Sequence, residues 1–497
     1  MIVDYICNTL FIYQVLTSLS VYLVLHFALF LNARHRRNQL FRHYGVPGPR
    51  ASILEGNYDI LRRRPYTPDM DWQLRNKYGP AAGLMLGDIP IMNVADLDIL
   101  KKVFIDDAAK FRDRCEVMFR TSGTASILFA EYKEWKLYRK IMSQPFSRYA
   151  ISGQDSTRFI EDIVKSISDY IDSRLEPNES GKSTATVDIR KLMRSATLKV
   201  ISTIAIRLPG VQVGENDGYV EGLDKFLSQS DTGLLDYIVW FPVLRRIIEL
   251  AAKVYDGKPL GQVKRTLDIT IDRYGKRSTD GKDSQDHVID TLVRLHHQGK
   301  ISRLNVIDNA LALLFAGYET SSTTLTYLFW ALAKHPDVQD KLRSDLIAHG
   351  TDSQYLEQVI YETLRRYPTV RSFTCRMPNE NVQYGKVSIP KGTTVVYNSW
   401  LINLDPNFWP DPMKFDPERF APGKTHHPCA FAPFGFGERR CIGFQLAMLE
   451  MKMILCELVI RYRILLKSPS NLEQCTSAYF LTKPMEKVVI EFERLIG

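Results

Sequence analysis

Residues 5–33 contain no Asp, Glu, Lys or Arg, and this run limits the folds open to the chain more than any other feature. A helix needs about 20 mostly apolar residues to cross a bilayer, so the run is long enough to span one with some tilt. His26 and Gln14 are its awkward members, and Arg34, Arg36, Arg37 and Arg42 follow directly. The positive-inside rule keeps that basic flank in the cytosol and puts the short N-terminus across the membrane. A cleaved signal peptide would start with positive charge, have a shorter apolar core and end in small residues. This chain begins Met-Ile-Val-Asp and carries its basic cluster on the opposite side. The expectation is a transmembrane anchor over 1–33, a basic, proline-bearing hinge over 34–50, and one large domain over 51–497.

The body has an ordinary globular composition, 45% hydrophobic and 24% charged, which excludes a disordered chain or a long coiled coil. Its net charge of +9 is spread along the chain. That favours an anionic membrane or protein surface and gives no case for nucleic acid. Seven scattered cysteines without a CxxC pair disfavour a zinc ribbon, a redox pair and a disulfide framework.

Residues 82–86 and 89–94 flank Gly87-Asp88 as a hairpin, and Asp96 opens a short helix. The pattern is then mostly helical to 334, including a helix over 131–141. Residues 176–186 and 275–286 read as solvated loops. Residues 234–255, with Trp240 and Phe241 beside Pro242, read either as core or as a surface element dipping into the bilayer. Strands are expected at 389–392, 395–397, 477–481 and 488–492, an irregular meander at 406–433, and an apolar helix at 442–458. The fold class is mainly α with small β-sheets.

The chemistry concentrates in Phe434-Gly435-Phe436-Gly437-Glu438-Arg439-Arg440-Cys441-Ile442-Gly443. A cysteine before a helix N-terminus has a depressed thiol pKa, because free N–H groups and a partial positive charge favour thiolate. Such a thiolate is a fit ligand for haem iron. Gly437 and Gly443 permit close approach of a flat macrocycle. Phe434 can shield the sulfur, and Arg439 can pair with a porphyrin carboxylate.

This segment resembles the haem-binding signature of the cytochrome P-450 superfamily, Phe-x-x-Gly-x-Arg-x-Cys-x-Gly, at every fixed position. Other segments agree in order. Trp135 and Arg139 lie four apart on one helix face and suit a propionate. The run Ala316-Gly317-Tyr318-Glu319-Thr320-Ser321 is similar to the family's oxygen-side helix, where the acid and alcohol equivalent to Glu319 and Thr320 deliver protons. A buried acid there costs free energy unless it has partners. Glu362 and Arg365 match the family's ExxR pair, and Arg419 in Pro417-Glu418-Arg419-Phe420 completes that network. Arg376 falls where relatives hold another propionate-binding arginine. The resemblance runs from about 46 to 492 and is closest to animal microsomal enzymes of the family-three type. The interval from His335 to Glu362 is shorter than that likeness leads one to expect.

The resemblance implies the cytochrome P-450 fold and haem b held by Cys441. It implies insertion of one oxygen atom from O2 into a lipophilic substrate such as a steroid, lipid or xenobiotic. Met118, Phe119, Phe315, Val370, Phe373, Tyr479 and Phe480 stand at substrate positions. Electrons would come from NADPH through a flavoprotein reductase, with cytochrome b5 as a second donor; Lys133, Lys136, Lys140 and Arg148 are candidate basic contacts. The implied location is the endoplasmic reticulum membrane, single-pass, with the catalytic domain facing the cytosol. The alternatives are a haem-thiolate isomerase or dehydratase of lipid peroxides, against which the retained Glu319 and Thr320 argue, and a non-catalytic haem or lipid binder.

Overall fold

The computed structural model describes residues 2–495 except 63–65, 115–125, 144, 148–152, 207, 209, 215–218, 224–264, 270, 273–286, 469–471, 473 and 478–479. The expectations for 234–255 and 275–286, and the candidates Met118, Phe119, Arg148 and Tyr479, lie outside the described residues.

A single apolar helix, Ile2–Asn38, opens the chain. From Ile12 onward its mean hydropathy is 1.8 and none of its apolar window is buried. The globular body is organised around the 32-residue helix Arg303–Lys334. That helix starts where Ser302 and Asn305 cap each other: the Ser302 hydroxyl accepts from the Asn305 N–H at 3.1 Å, and the Asn305 amide accepts from the Ser302 N–H at 2.9 Å. Its middle is buried on almost every side, polar residues 321–324 included, as in a helix inside a core. Its main partner is the helix Ile189–Ile201. Gly317 sits at their crossing, and a Cβ there would come within 2.6 Å of Ile201. Gly317 therefore lets the two helices pack closely.

The small sheets lie at the margins. One four-stranded sheet runs in spatial order Ala81–Leu86, Ile89–Val94, Thr394–Tyr397, Cys375–Arg376. Its first hairpin is the expected one, and Asp96 caps the following helix by accepting from the N–H groups of Asp98 and Ile99, each at 3.0 Å. Ile389 ends a strand, while Pro390-Lys391-Gly392 forms the turn that follows.

A second sheet corrects the expectation for 176–186. Glu176–Pro177 and Ser183–Asp188 are strands, and the latter pairs antiparallel with Val489–Arg494. The alternating Ala185 and Val187 are buried against the core, an inducement that the polar composition hid. The strand expected at 477–481 divides into Gln474–Ser477 and Leu481–Pro484, which pair with each other.

The helix Pro336–His349 and the helix Gln354–Arg366 are joined by the single turn Gly350–Asp352, and Ser353 caps the second by accepting from Leu356 N–H at 2.9 Å. The short interval noted in the sequence is thus closed by a tight turn. The second helix carries the ExxR pair inward. Arg365 Nε and Nη2 donate to both Glu362 oxygens at 2.7 and 2.8 Å. Its remaining donors reach the carbonyls of Asn403 and Pro412 at 2.8 and 2.9 Å. Glu362 also accepts from Asp416 N–H at 2.8 Å and faces Arg419 at 3.6 Å. Both members of the pair are fully buried, so this is an internal lock on the meander and not a solvated helix pair.

Candidate active site

The loop before the helix Phe444–Arg461 is shaped by two left-handed glycines, Gly435 (φ 73°) and Gly437 (φ 57°), and by the turn Gly437–Arg439. It folds back so that Cys441 N–H donates to Phe434 O at 2.8 Å. Gly443 is the N-cap of the helix. The Cys441 side chain is exposed and lines a cavity. Desolvation by the surrounding protein pushes the thiol up. The Gly443 N–H and the charges of Arg139, Arg440 and Arg114 pull it down without prevailing. The lowering expected from the helix terminus alone is therefore outweighed by desolvation. Phe434 packs edge-on against Phe444 at 4.6 Å beside the sulfur.

The cavity measures about 340 Å³ and is predominantly apolar. Trp135, Arg139, Arg376 and Arg439 all line it, as the sequence suggested, and Arg114 joins them. Arg439 stacks over the Trp135 ring at 4.6 Å and donates to Ala130 O at 3.3 Å. Arg139 Nη1 donates to Arg440 O at 2.6 Å, and Arg376 Nη1 to Cys375 O at 2.8 Å. Arg114 donates to Leu128 O at 3.0 Å and to Arg439 O at 3.3 Å, with its guanidinium over Phe373 at 4.4 Å.

Gathering cations away from water is costly. Burial and the Arg114 charge push Arg376 down to about 9 and Arg439 down to about 10, and burial lowers Arg114 and Arg139 too. The Nε atoms of Arg114 and Arg439 are buried without an acceptor. A cradle of arginines short of acceptors, an apolar slot and a cysteine at one wall together fit a flat dicarboxylate macrocycle with a metal at its centre. Arg114 escaped the sequence reading. Its signal was the pair of arginines in Arg112-Asp113-Arg114.

On the opposite wall, Thr320 donates its hydroxyl to Ala316 O at 2.6 Å. Phe315, Val370, Phe373 and Phe480 line the cavity, with Phe373 between Phe129 at 5.8 Å and Phe480 at 5.4 Å. Glu319 departs from the simple picture of a free acid. Its carboxylate is gripped by Arg194 Nη2 at 2.8 and 2.6 Å, with Arg190 at 3.4 Å. The buried acid has the partners its burial demands, supplied by the neighbouring helix.

A second buried acid, Glu450, also lines the cavity, from the helix that follows Cys441. Burial pushes its carboxyl up to about 8, opposed only by a hydrogen bond with Ser321. The sequence signal was an acid flanked by Leu and Met in a mostly apolar helix. Outside the loop, a wider depression of about 890 Å³ is bordered by Arg112, Tyr132, Tyr361, His427 and Arg440.

A helical body with marginal sheets and a cysteine facing an arginine-rimmed slot defines a haem-thiolate oxygenase. The family model of cytochrome P450 matches residues 46–490, and the chain belongs to that family. It is an oxidoreductase, a haem-dependent monooxygenase. Among curated proteins it is similar to cytochrome P450 3A16 of Mus musculus, 27% identical over 478 residues spanning 91% of this chain and 92% of the relative. It is also similar to cytochrome P450 3A29 of Sus scrofa, 29% identical over 480 residues (91% and 92%), and to cytochrome P450 3A5 of Homo sapiens, 28% over 496 residues (93% and 94%).

Proposed function

We propose that this chain is a membrane-anchored monooxygenase that holds haem b through Cys441 and hydroxylates a lipophilic substrate of the steroid, lipid or xenobiotic kind. The convergence of Cys441 and four arginines, Arg376 and Arg439 buried and Arg114 and Arg139 half-buried, on one apolar cavity carries the reading. Arg114, Arg139, Arg376 and Arg439, with the Trp135 indole, would hold the two propionates, and Gly443, without a side chain, would leave room for the ring. Phe434 keeps water from the sulfur. The haem-thiolate centre, when bound, supplies the activation and cleavage of O2. The balance is substrate R–H, O2, NADPH and H⁺ in, and R–OH, H2O and NADP⁺ out.

The chain's own residues orient the substrate and manage protons. Phe315, Val370, Phe373 and Phe480 give the substrate an apolar, ring-lined berth. Thr320 places a hydroxyl at the cavity wall, where turning away from Ala316 O frees it to bind water. Glu319 relays a proton to that position after exchanging its contact with Arg194 Nη2 for water. The internal lock of Glu362, Arg365 and Arg419 holds the meander that supports the cysteine loop.

Electrons come from an NADPH-dependent flavoprotein reductase, with cytochrome b5 as a second donor. Lys133, Lys136 and Lys140 face solvent on the helix Tyr132–Ser143, beside the outer depression that Tyr132 borders, and suit an acidic docking face. The anchor and its basic flank support a location in the endoplasmic reticulum membrane with the catalytic domain, residues 51–497, toward the cytosol.

The test is a reduced, carbon monoxide difference spectrum of the haem-supplemented protein and of Cys441→Ser. A thiolate-type Soret band in the wild type, absent from the variant, is the expected outcome. A band that survives the substitution overturns the assignment of the ligand, and a protein that takes up no haem overturns the function.

A further inference from the structure

The junction between the apolar helix and the body has the build of a fixed joint. From Ile12 to Leu29 the helix is exposed on all sides, with Val24 67% and Leu29 64% accessible; Arg34 is 1% accessible. Burying a guanidinium is unfavourable unless its donors are all engaged. Here Arg34 Nε donates to Ile53 O at 3.2 Å, Nη2 to Leu54 O at 2.5 Å, and Nη1 pairs with Asp88 in the turn of the first hairpin. Arg37 reaches the other oxygen of Asp88 at 3.2 Å, and Asn38 Nδ2 donates to Ser52 O at 2.6 Å. Residues 34, 37, 38 and 41 follow the i, i+3, i+4, i+7 spacing that puts them on one helical face.

Phe41 completes that face. It is buried, and its ring lies flat enough on Gly83 that a Cβ there would come within 2.4 Å. Val46 N–H donates to Phe41 O at 2.8 Å and Gly83 N–H to Pro47 O at 2.8 Å, so the chain beyond the helix is stitched to the same hairpin. The stiff, proline-bearing segment expected as a hinge is therefore docked on the body.

We propose that the anchor is a rigid strut locked to the body by Arg34, Arg37 and Asp88, and that this lock seats Ile53 and Leu54 in the interfacial layer of the same bilayer. Ile53 is 46% and Leu54 45% accessible, and their carbonyls are the ones Arg34 holds. Five residues of helix separate Arg34 from Leu29, a rise of about 7.5 Å. That puts the exposed pair near the boundary of headgroups and acyl chains, where amphipathic elements insert about 5–10 Å. The surface is continuous with the membrane-crossing helix, which identifies its occupant as lipid. The proposal rests on that helix spanning a bilayer and is independent of the oxygenase chemistry.

The test uses the full-length, haem-loaded protein in oriented bilayers of phosphatidylcholine with a minor share of phosphatidylserine. Linear dichroism of the haem band should be pronounced in the wild type. It should fall to near the isotropic value in Asp88→Lys, whose carbon monoxide spectrum should be unchanged because Asp88 lies outside the cavity. Equal dichroism in the two proteins, or none in the wild type, overturns the lock. If Asp88→Lys does not fold, Ile53→Ser/Leu54→Ser gives a second reading by amide hydrogen exchange over 50–55. Slower exchange in bilayer discs than in detergent for the wild type, abolished in the double variant, supports the seat, and equal rates in the wild type overturn it. Failure of the wild type to float with vesicles at high salt removes the spanning helix and the proposal together. Flotation with equal dichroism removes the proposal alone.

Discussion

Replacing Glu450 by glutamine should change how stability depends on pH, and the size of the change follows from where the side chain sits. The carboxyl is 3% accessible, and no charged group is among the influences on it. Burial moves it from the ordinary 4.5 to about 8. The unfolded chain therefore loses this proton near pH 4.5, whereas the folded protein keeps it until about pH 8. Full stability is present below pH 4.5, falls as pH rises through the interval, and levels off above about 8. At about 1.4 kcal/mol per pH unit the whole loss approaches 5 kcal/mol, an upper figure because the surroundings relax. The glutamine side chain, with no proton to lose, should abolish that slope. The difference in urea midpoint between Glu450→Gln and wild type should favour the variant increasingly from pH 5 to pH 8 and then stay constant. Infrared spectra at pH 7 should show a protonated carboxyl band that the substitution removes, since a group titrating near 8 is about nine-tenths protonated there. Parallel stability curves together with no such band would refute the reasoning.

Arg194→Leu strips Glu319 of its bidentate partner and should cost about 3–5 kcal/mol in urea unfolding; adding Glu319→Leu should recover most of it, because an unpaired buried charge is worse than none. Gly317→Ala drives a methyl to within 2.6 Å of Ile201 and should cost about 1–3 kcal/mol, with Ile201→Ala relieving it in the double variant. Arg114→Leu removes one cradle cation, so the haem-to-protein ratio after dialysis should fall below that of the wild type, while a surface control such as Lys136→Leu retains its haem.

The parts of this protein that could be read from its residues are those whose cause is local. The cysteine loop announces itself within ten positions, because glycines, an arginine and a thiol before a helix leave few other arrangements. The Glu362–Arg365 pair is visible for the same reason, being three apart on one helix. Its burial is not, since that comes from the carbonyls of Asn403 and Pro412, which only the folded meander brings near. Arg114 was missed on similar grounds: its place in the cradle depends on Arg439, 325 residues away. The strand Ser183–Asp188 is polar enough to pass for a loop until Val489–Arg494 pairs with it.

The two buried acids give the sharpest form of this distinction. Glu319 and Glu450 are each a buried carboxyl on a long, largely buried helix, and both line the same cavity, as does Asp308. Local pattern says only that such a group must find a partner or give up its charge. Which of the two happens is decided by the helix packed opposite. Ile189–Ile201 presents Arg194 and Arg190 to Glu319, so that acid ends in an ion pair. The central helix offers Glu450 nothing stronger than the Ser321 hydroxyl, and burial then favours the neutral form. A cavity so arranged holds one acid as a fixed charge and the other as a stored proton. Exchanging their surroundings, by removing Arg194 and placing a cation beside Glu450, would exchange those states without touching either carboxyl.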